Sequence, residues 1–259
     1  FAVSHSQEKE MPEIGIYEQL DKYIPTNLEF YDIDSNLVKL SSLIDKPTVL
    51  SLVYFTCPGI CSPLLDGLAE VIDWADIELG VDYQVFTISF NYSETPSLAK
   101  SKRFNYLKQI EKEVDEDAWK WFTGDSVNIY GLTDAVGFKF KREGKDFIHA
   151  GTLILLSPDG KVTRYLYGTK FNQFDLKMAV MEASEGKSSP TISKVLQYCF
   201  SYDADGKKYV FNVTKIGATV VILFAVIFFL ILVLKRKKTE KQKETEKKKE
   251  KVKRVNRKR

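Results

Sequence analysis

Residues 216–234, IGATVVILFAVIFFLILVL, form an unbroken uncharged run of 19 positions. No other feature limits the architecture of this chain so strongly. At ~1.5 Å per residue a helix of that length covers roughly 28 Å, close to the ~30 Å hydrocarbon core of a bilayer. A buried core helix is the poorer reading, because Lys235, Arg236, Lys237 and Lys238 follow the run at once. The expectation is a single transmembrane helix over 216–234. Basic flanks stay in the cytoplasm. Residues 235–259 are therefore expected as a cytoplasmic tail against anionic membrane lipid. Everything before Ile216 is expected outside the cytoplasm, periplasmic in a two-membrane cell. The polar opening FAVSHSQEKE fits a chain from which an export leader has been removed.

Charge divides at the same place. Residues 235–259 hold 15 of the 38 Lys and Arg but only 4 of the 35 Asp and Glu. That leaves residues 1–234 with 23 basic and 31 acidic side chains, a net of −8. An acidic domain is a poor nucleic-acid surface. With 44% hydrophobic and 13% aromatic residues, the outer part can bury a full-sized core.

The pattern in that outer part alternates between period 2 and period 3.6. An arm is expected over 1–25, an α/β domain over 26–186 and a tether over 187–215. Leu28–Asp32 and Leu37–Leu40, joined by Asp34-Ser35-Asn36, predict an N-terminal β-hairpin. PTVLSLVYF (Pro47–Phe55) predicts a strand buried on both faces. Leu64, Leu65, Leu68, Val71, Ile72 and Ala75 recur at helical spacing, with Gly80 as the stop. YQVFTISF (83–90) predicts a second buried strand, and Thr95-Pro96 opens a helix to about Ile110. A short strand is expected at 119–122 and a helix at 127–136. TLILL (152–156) and 161–167 predict a hairpin around Ser157-Pro158-Asp159-Gly160, and a last helix runs over 172–186. Strands alternating with helices imply an α/β layer with a parallel core and an antiparallel edge.

Three cysteines make no disulfide scaffold. Cys57 and Cys61 stand together where the first buried strand gives way to a helix. Ligands gather at such carboxyl ends. With Pro58 as the first helical residue, Cys57 is expected near the helix N-cap and Cys61 one turn further along the same face. The positive helix end then favours a thiolate. Two thiolates side by side can bind a soft metal or exchange disulfides, and the first alone could attack a peroxide. A structural bridge between them would close too short a loop to constrain the unfolded chain much. Three intervening residues, against the two of thioredoxin-type oxidoreductases, leave room for an ion.

The outer part has two histidines. His5 lies in the polar arm and reads as solvated. His149 stands just before the TLILL strand, where a thioredoxin-like sheet brings the preceding loop against the cysteine loop. Imidazole with thiolate suits both copper valences, sulfur for Cu(I) and nitrogen for Cu(II).

Cys57-Pro58-Gly59-Ile60-Cys61 after an apolar strand, His149 before a strand and the SPDG-K-V turn of 157–162 together resemble the Sco/SenC family of copper-delivery proteins. The resemblance covers roughly 26–185. It implies a thioredoxin-like fold with an added N-terminal β-hairpin. It also implies one copper ion held by Cys57, Cys61 and His149, and a role in building the dinuclear copper centre of cytochrome c oxidase. The implied partner is the copper-accepting subunit of that oxidase. The resemblance leaves two routes open, direct delivery or reduction of the subunit's cysteines so that they accept the metal. The stretch from Tyr198 to Asp203, with Gly206, is similar to a segment of C-terminally anchored bacterial members. Cys199 within it has no assigned chemistry. One departure stands out: where many members carry an aspartate pair after the second buried strand, this chain has a shorter loop with Asn91 and Glu94. Glu94 is expected in the first turn of the following helix, favoured by the dipole.

Three activities remain open at this level. The first is a metallochaperone that binds and transfers copper. The second is a thiol–disulfide reductase with Cys57 as nucleophile and Cys61 as resolving thiol. The third is a thiol peroxidase of the same fold.

Overall fold

The structure is a computed structural model that describes residues 14–188, together with the backbone of two short strands at 200–203 and 208–211. In chain order the elements are β1 (Gly15–Ile16), β2 (Glu29–Tyr31), β3 (Leu37–Lys39), β4 (Thr48–Val53), α1 (Cys61–Trp74), β5 (Gln84–Ser89) and α2 (Pro96–Leu107). They continue with β6 (Trp119–Phe122), α3 (Ser126–Ala135), β7 (Phe138–Lys139), β8 (Lys141–Glu143), β9 (Asp146–Ile148), β10 (Thr152–Leu156), β11 (Val162–Tyr167) and α4 (Gln173–Ser184). The last two strands, β12 (Phe200–Asp203) and β13 (Lys208–Phe211), pair antiparallel with each other inside the stretch expected as a tether.

Five strands form the central sheet in the order β11-β10-β4-β5-β6. β4, β5 and β6 run parallel, while β10 is antiparallel to β4 and to β11. This is the parallel core with an antiparallel edge that alternating elements imply. Every residue of β4, β5 and β10 is buried, because the sheet is covered on both faces. The few hydroxyls this traps are paired: Ser51 Oγ lies 2.8 Å from Thr87 Oγ1, which also accepts the Trp119 indole N–H at 2.9 Å.

Local chemistry sets most helix starts. Thr95 caps α2 with Pro96 next in line, Asp125 caps α3 through the Asn128 N–H at 2.8 Å, and Asn172 caps α4 through the Phe174 N–H at 2.7 Å. α1 has no side-chain cap at all. It also ends at Trp74, short of the Gly80 expected from periodicity. Lys112 Nζ donates to the Ala75 and Ile77 carbonyls, so the chain just past the helix has its acceptors satisfied from a distant segment.

The N-terminal hairpin is present as β2 and β3. It packs on α3, where the Glu29 N–H donates to Asn128 Oδ1 at 2.9 Å. The arm expected up to residue 25 needs correction for 14–25. β1 pairs with β7, the Asp21 and Ile24 N–H groups donate to Val162 and Gly160, and Ile24 is buried in the core. These residues alternate poorly, so their docking could not be read from pattern. β7, β8 and β9 escape sequence pattern for a similar reason: Lys141–Asp146 is charged at every position but Gly144 and reads as loop.

His5, Cys199, the apolar run 216–234 and the basic tail lie outside the described residues. Among the described residues no helix is long and apolar enough to cross a membrane.

Candidate metal centre

β4 ends at Val53, and the chain turns through Tyr54–Ile60 before α1 begins. The Cys57 N–H closes a turn onto the Tyr54 carbonyl at 3.2 Å. The N-cap of α1 is Ile60, so the helix starts three residues later than Pro58 suggests. Pro58 and Gly59 make a bend instead of a first helical turn. Cys61 is therefore the first residue of the helix, and Cys57 lies on the loop ahead of it. The two sulfurs share a site because the loop folds back, not because they stack on one helix face. Gly59 N–H donates to Cys57 Sγ at 3.3 Å, which the bend makes possible.

His149 arrives from the other side of the sheet edge, between β9 and β10. The β8–β9 hairpin turns at Gly144 and is pinned by Arg142. That guanidinium donates to the Tyr92 hydroxyl at 3.1 Å and lies over the Phe147 ring. Gly151 lets the histidine loop close on the cysteine loop. A Cβ there would stand 3.0 Å from Ile60 Cδ1, tighter than ordinary contact. His149 is 3% exposed and walled by Phe90, Tyr54 and Phe138, with ring centroids 4.9, 5.9 and 6.0 Å away.

The three residues singled out from sequence meet here. One donor atom each from Cys57, Cys61 and His149 lies within 4.8 Å of the other two. Cys61 Sγ is 3.3 Å from His149 Nε2. His149 Nδ1 is 3.0 Å from the Ala150 carbonyl oxygen. A carbonyl can only accept, so Nδ1 carries a proton, and Nε2 is the ring nitrogen that faces the sulfurs. This is the second partner that metal-binding histidines need. Metal–thiolate and metal–imidazole bonds of ~2.3 and ~2.0 Å would hold sulfur and nitrogen roughly 3.5 Å apart, so the donors present fit one ion.

The two thiols differ sharply. Burial pushes the Cys61 thiol up, and the neighbouring Cys57 sulfur adds to the effect. Cys57 is half-buried and well below the ordinary thiol range. Its hydrogen bond from Cys61 is the main cause, opposed by burial and aided by His149 and the Cys61 and Gly59 N–H groups. Burial pushes the Tyr54 phenol up, and the neighbouring Cys57 sulfur adds to the effect. Both cysteines are free thiols in this structure.

Glu94 is not where the sequence suggested. It precedes the Thr95 cap of α2 and its carboxylate reaches back to the cysteine loop. It accepts the Phe55 N–H at 2.7 Å, the Thr56 N–H at 2.8 Å and the Thr56 hydroxyl at 2.7 Å. The Ser89 hydroxyl donates to it at 2.6 Å. Asn91 shapes the turn that aims it, accepting the Ser93 N–H on Oδ1 and the Glu94 N–H on its carbonyl. No periodic or motif signal distinguishes such a carboxylate from a helix-start residue.

A family model described as SCO1/SenC matches residues 18–183. A SCO1 protein homolog of Bacillus subtilis (strain 168) is 24% identical over 151 residues, covering 56% of this chain and 75% of the relative. A protein of Aquifex aeolicus VF5 known from its crystal structure is 29% identical with a TM-score of 0.58, over 64% of this chain and 95% of that one. BsSco, described as a member of the Sco family of cytochrome c oxidase assembly proteins, shares the fold at 22% identity and a TM-score of 0.52, over 65% of this chain and 98% of its own.

Proposed function

Because this chain belongs to the SCO1/SenC family, we propose that it is a copper carrier, holding one copper ion on Cys57, Cys61 and His149 and passing it to the copper-accepting subunit of cytochrome c oxidase. The convergence of two sulfurs and one imidazole nitrogen within 4.8 Å carries this reading. Thiolates favour Cu(I) and the imidazole extends the set to Cu(II). Loading requires Cys61 to release its proton, so binding is linked to pH. Three protein donors leave a position for a thiolate of the acceptor, and transfer then proceeds by ligand exchange. The oxidase as destination rests on family membership. The domain stands outside the cytoplasm on a helix formed by 216–234, with 235–259 inside and in contact with lipid. The uncharged run and its basic flank support that topology.

Titration of the reduced full chain in detergent tests the proposal. One copper per chain is expected, with a sulfur-to-Cu(II) absorption band lost in Cys57→Ser and Cys61→Ser. A second reading, thiol–disulfide reductase, is favoured by the split between a half-buried low Cys57 and a buried high Cys61. A reduced chain that binds no copper yet reduces a disulfide of the oxidase subunit would replace the first reading by the second.

A further inference from the structure

We infer that Glu94 is a positioning residue that fixes the loop carrying Cys57 and biases the site toward the more highly charged form of its ion. This rests on the copper-carrier reading and adds to it a residue outside the donor set.

The three donors are held by different means. Cys61 is set by α1 and His149 by β9 and β10. Cys57 has only its loop. The two amides directly ahead of Thr56-Cys57 and within it, those of Phe55 and Thr56, have left the β4 ladder and need acceptors. One carboxylate, Glu94, accepts both, together with the Thr56 hydroxyl. Ser89, at the end of β5, ties that carboxylate to the sheet. The chain of contacts runs from a rigid strand through Glu94 to the backbone that sets Cys57.

The same group brings charge. Among the described residues no Lys or Arg forms an ion pair with Glu94. Its four donors are neutral, so no opposite charge offsets the carboxylate. A fixed negative charge attracts a doubly charged ion twice as strongly as a singly charged one at the same place. Glu94 therefore stabilises Cu(II) relative to Cu(I).

Two variants of the full chain separate the roles. Glu94→Gln keeps the shape and removes the charge. Cu(II) affinity, measured by competition with chromophoric chelators, is expected to fall about tenfold or more relative to Cu(I), as for loss of an outer-shell partner. Glu94→Asp keeps the charge and shortens the reach. It is expected to change the Cu(II) electron paramagnetic resonance spectrum, because Cys57 moves. In metal-free protein the Phe55 and Thr56 amides are expected to be slow in hydrogen exchange and to become fast in Glu94→Asp. Equal loss of both valences in Glu94→Gln overturns the charge bias. Unchanged exchange and an unchanged spectrum in Glu94→Asp overturn the positioning role. A wild-type chain that binds no copper sinks the carrier reading instead, and the exchange measurement still decides the positioning role.

Discussion

His149 Nε2 and Cys61 Sγ lie 3.3 Å apart although 88 residues separate them in the chain. Each is buried, Cys61 at the start of α1 and His149 in the loop between β9 and β10. The contact needs no rearrangement to become a shared ligand set.

Replacing that imidazole separates the two candidate activities. His149→Ala is expected to reduce Cu(II) affinity by more than the ~10- to 100-fold typical of losing an outer-shell partner. Exchange between the cysteines and a small aromatic disulfide should persist. Parallel copper titration and disulfide-exchange assays on the variant check this. Loss of both activities with a normal melting curve would contradict it.

The cysteines should differ in reactivity at neutral pH. Cys57 is held low and Cys61 high. Brief iodoacetamide treatment of metal-free protein is expected to label Cys57 and spare Cys61, as read by peptide mass spectrometry. Cys61→Ala removes the main cause of the low Cys57 value and should slow its labelling. A preference for Cys61 would reverse the assignment.

The same shifts give stability a sign. Between about 3 and the ordinary thiol value of about 9, the unfolded chain keeps a proton on Cys57 that the folded chain has lost. Stability of the metal-free protein from this group therefore rises with pH up to that value. Above it the unfolded chain also releases the Cys61 proton, which the folded chain retains, and stability falls. Melting curves across this range, compared with the Cys57→Ser and Cys61→Ser variants, would reveal both slopes.

Phe90 packs against Tyr54, Phe138, Phe140, Phe147 and His149 and is fully buried. Phe90→Ala is expected to cost about 3–5 kcal/mol. Because the cavity opens beside His149, copper affinity should fall as well. Denaturant unfolding and a copper titration of the same sample would show whether the two losses travel together.

Residues 14–25 should behave as part of the domain. Ile24→Ala is expected to cost about 2–5 kcal/mol. An exposed arm would tolerate that change with no shift in urea midpoint, so an unchanged midpoint would count against the docking seen for this segment.

Sequence by itself determined the parallel core, the hairpin edge and the three residues, Cys57, Cys61 and His149, that the fold brings together. β4, β5 and β10 are runs of apolar β-formers, and burial on both faces leaves such runs few alternatives. Cys57, Cys61 and His149 are residue types whose chemistry announces itself wherever they cluster. Tertiary structure alone decided how they meet. The bend at Pro58-Gly59 and the late start of α1 rest on local turns, whereas the pinning of the charged β8–β9 hairpin by Arg142 on Tyr92 and the reach of Glu94 depend on hydrogen bonds between segments far apart in the chain. Polar contacts of that kind leave no periodic trace, because one carboxylate or one turn serves a single partner rather than a face.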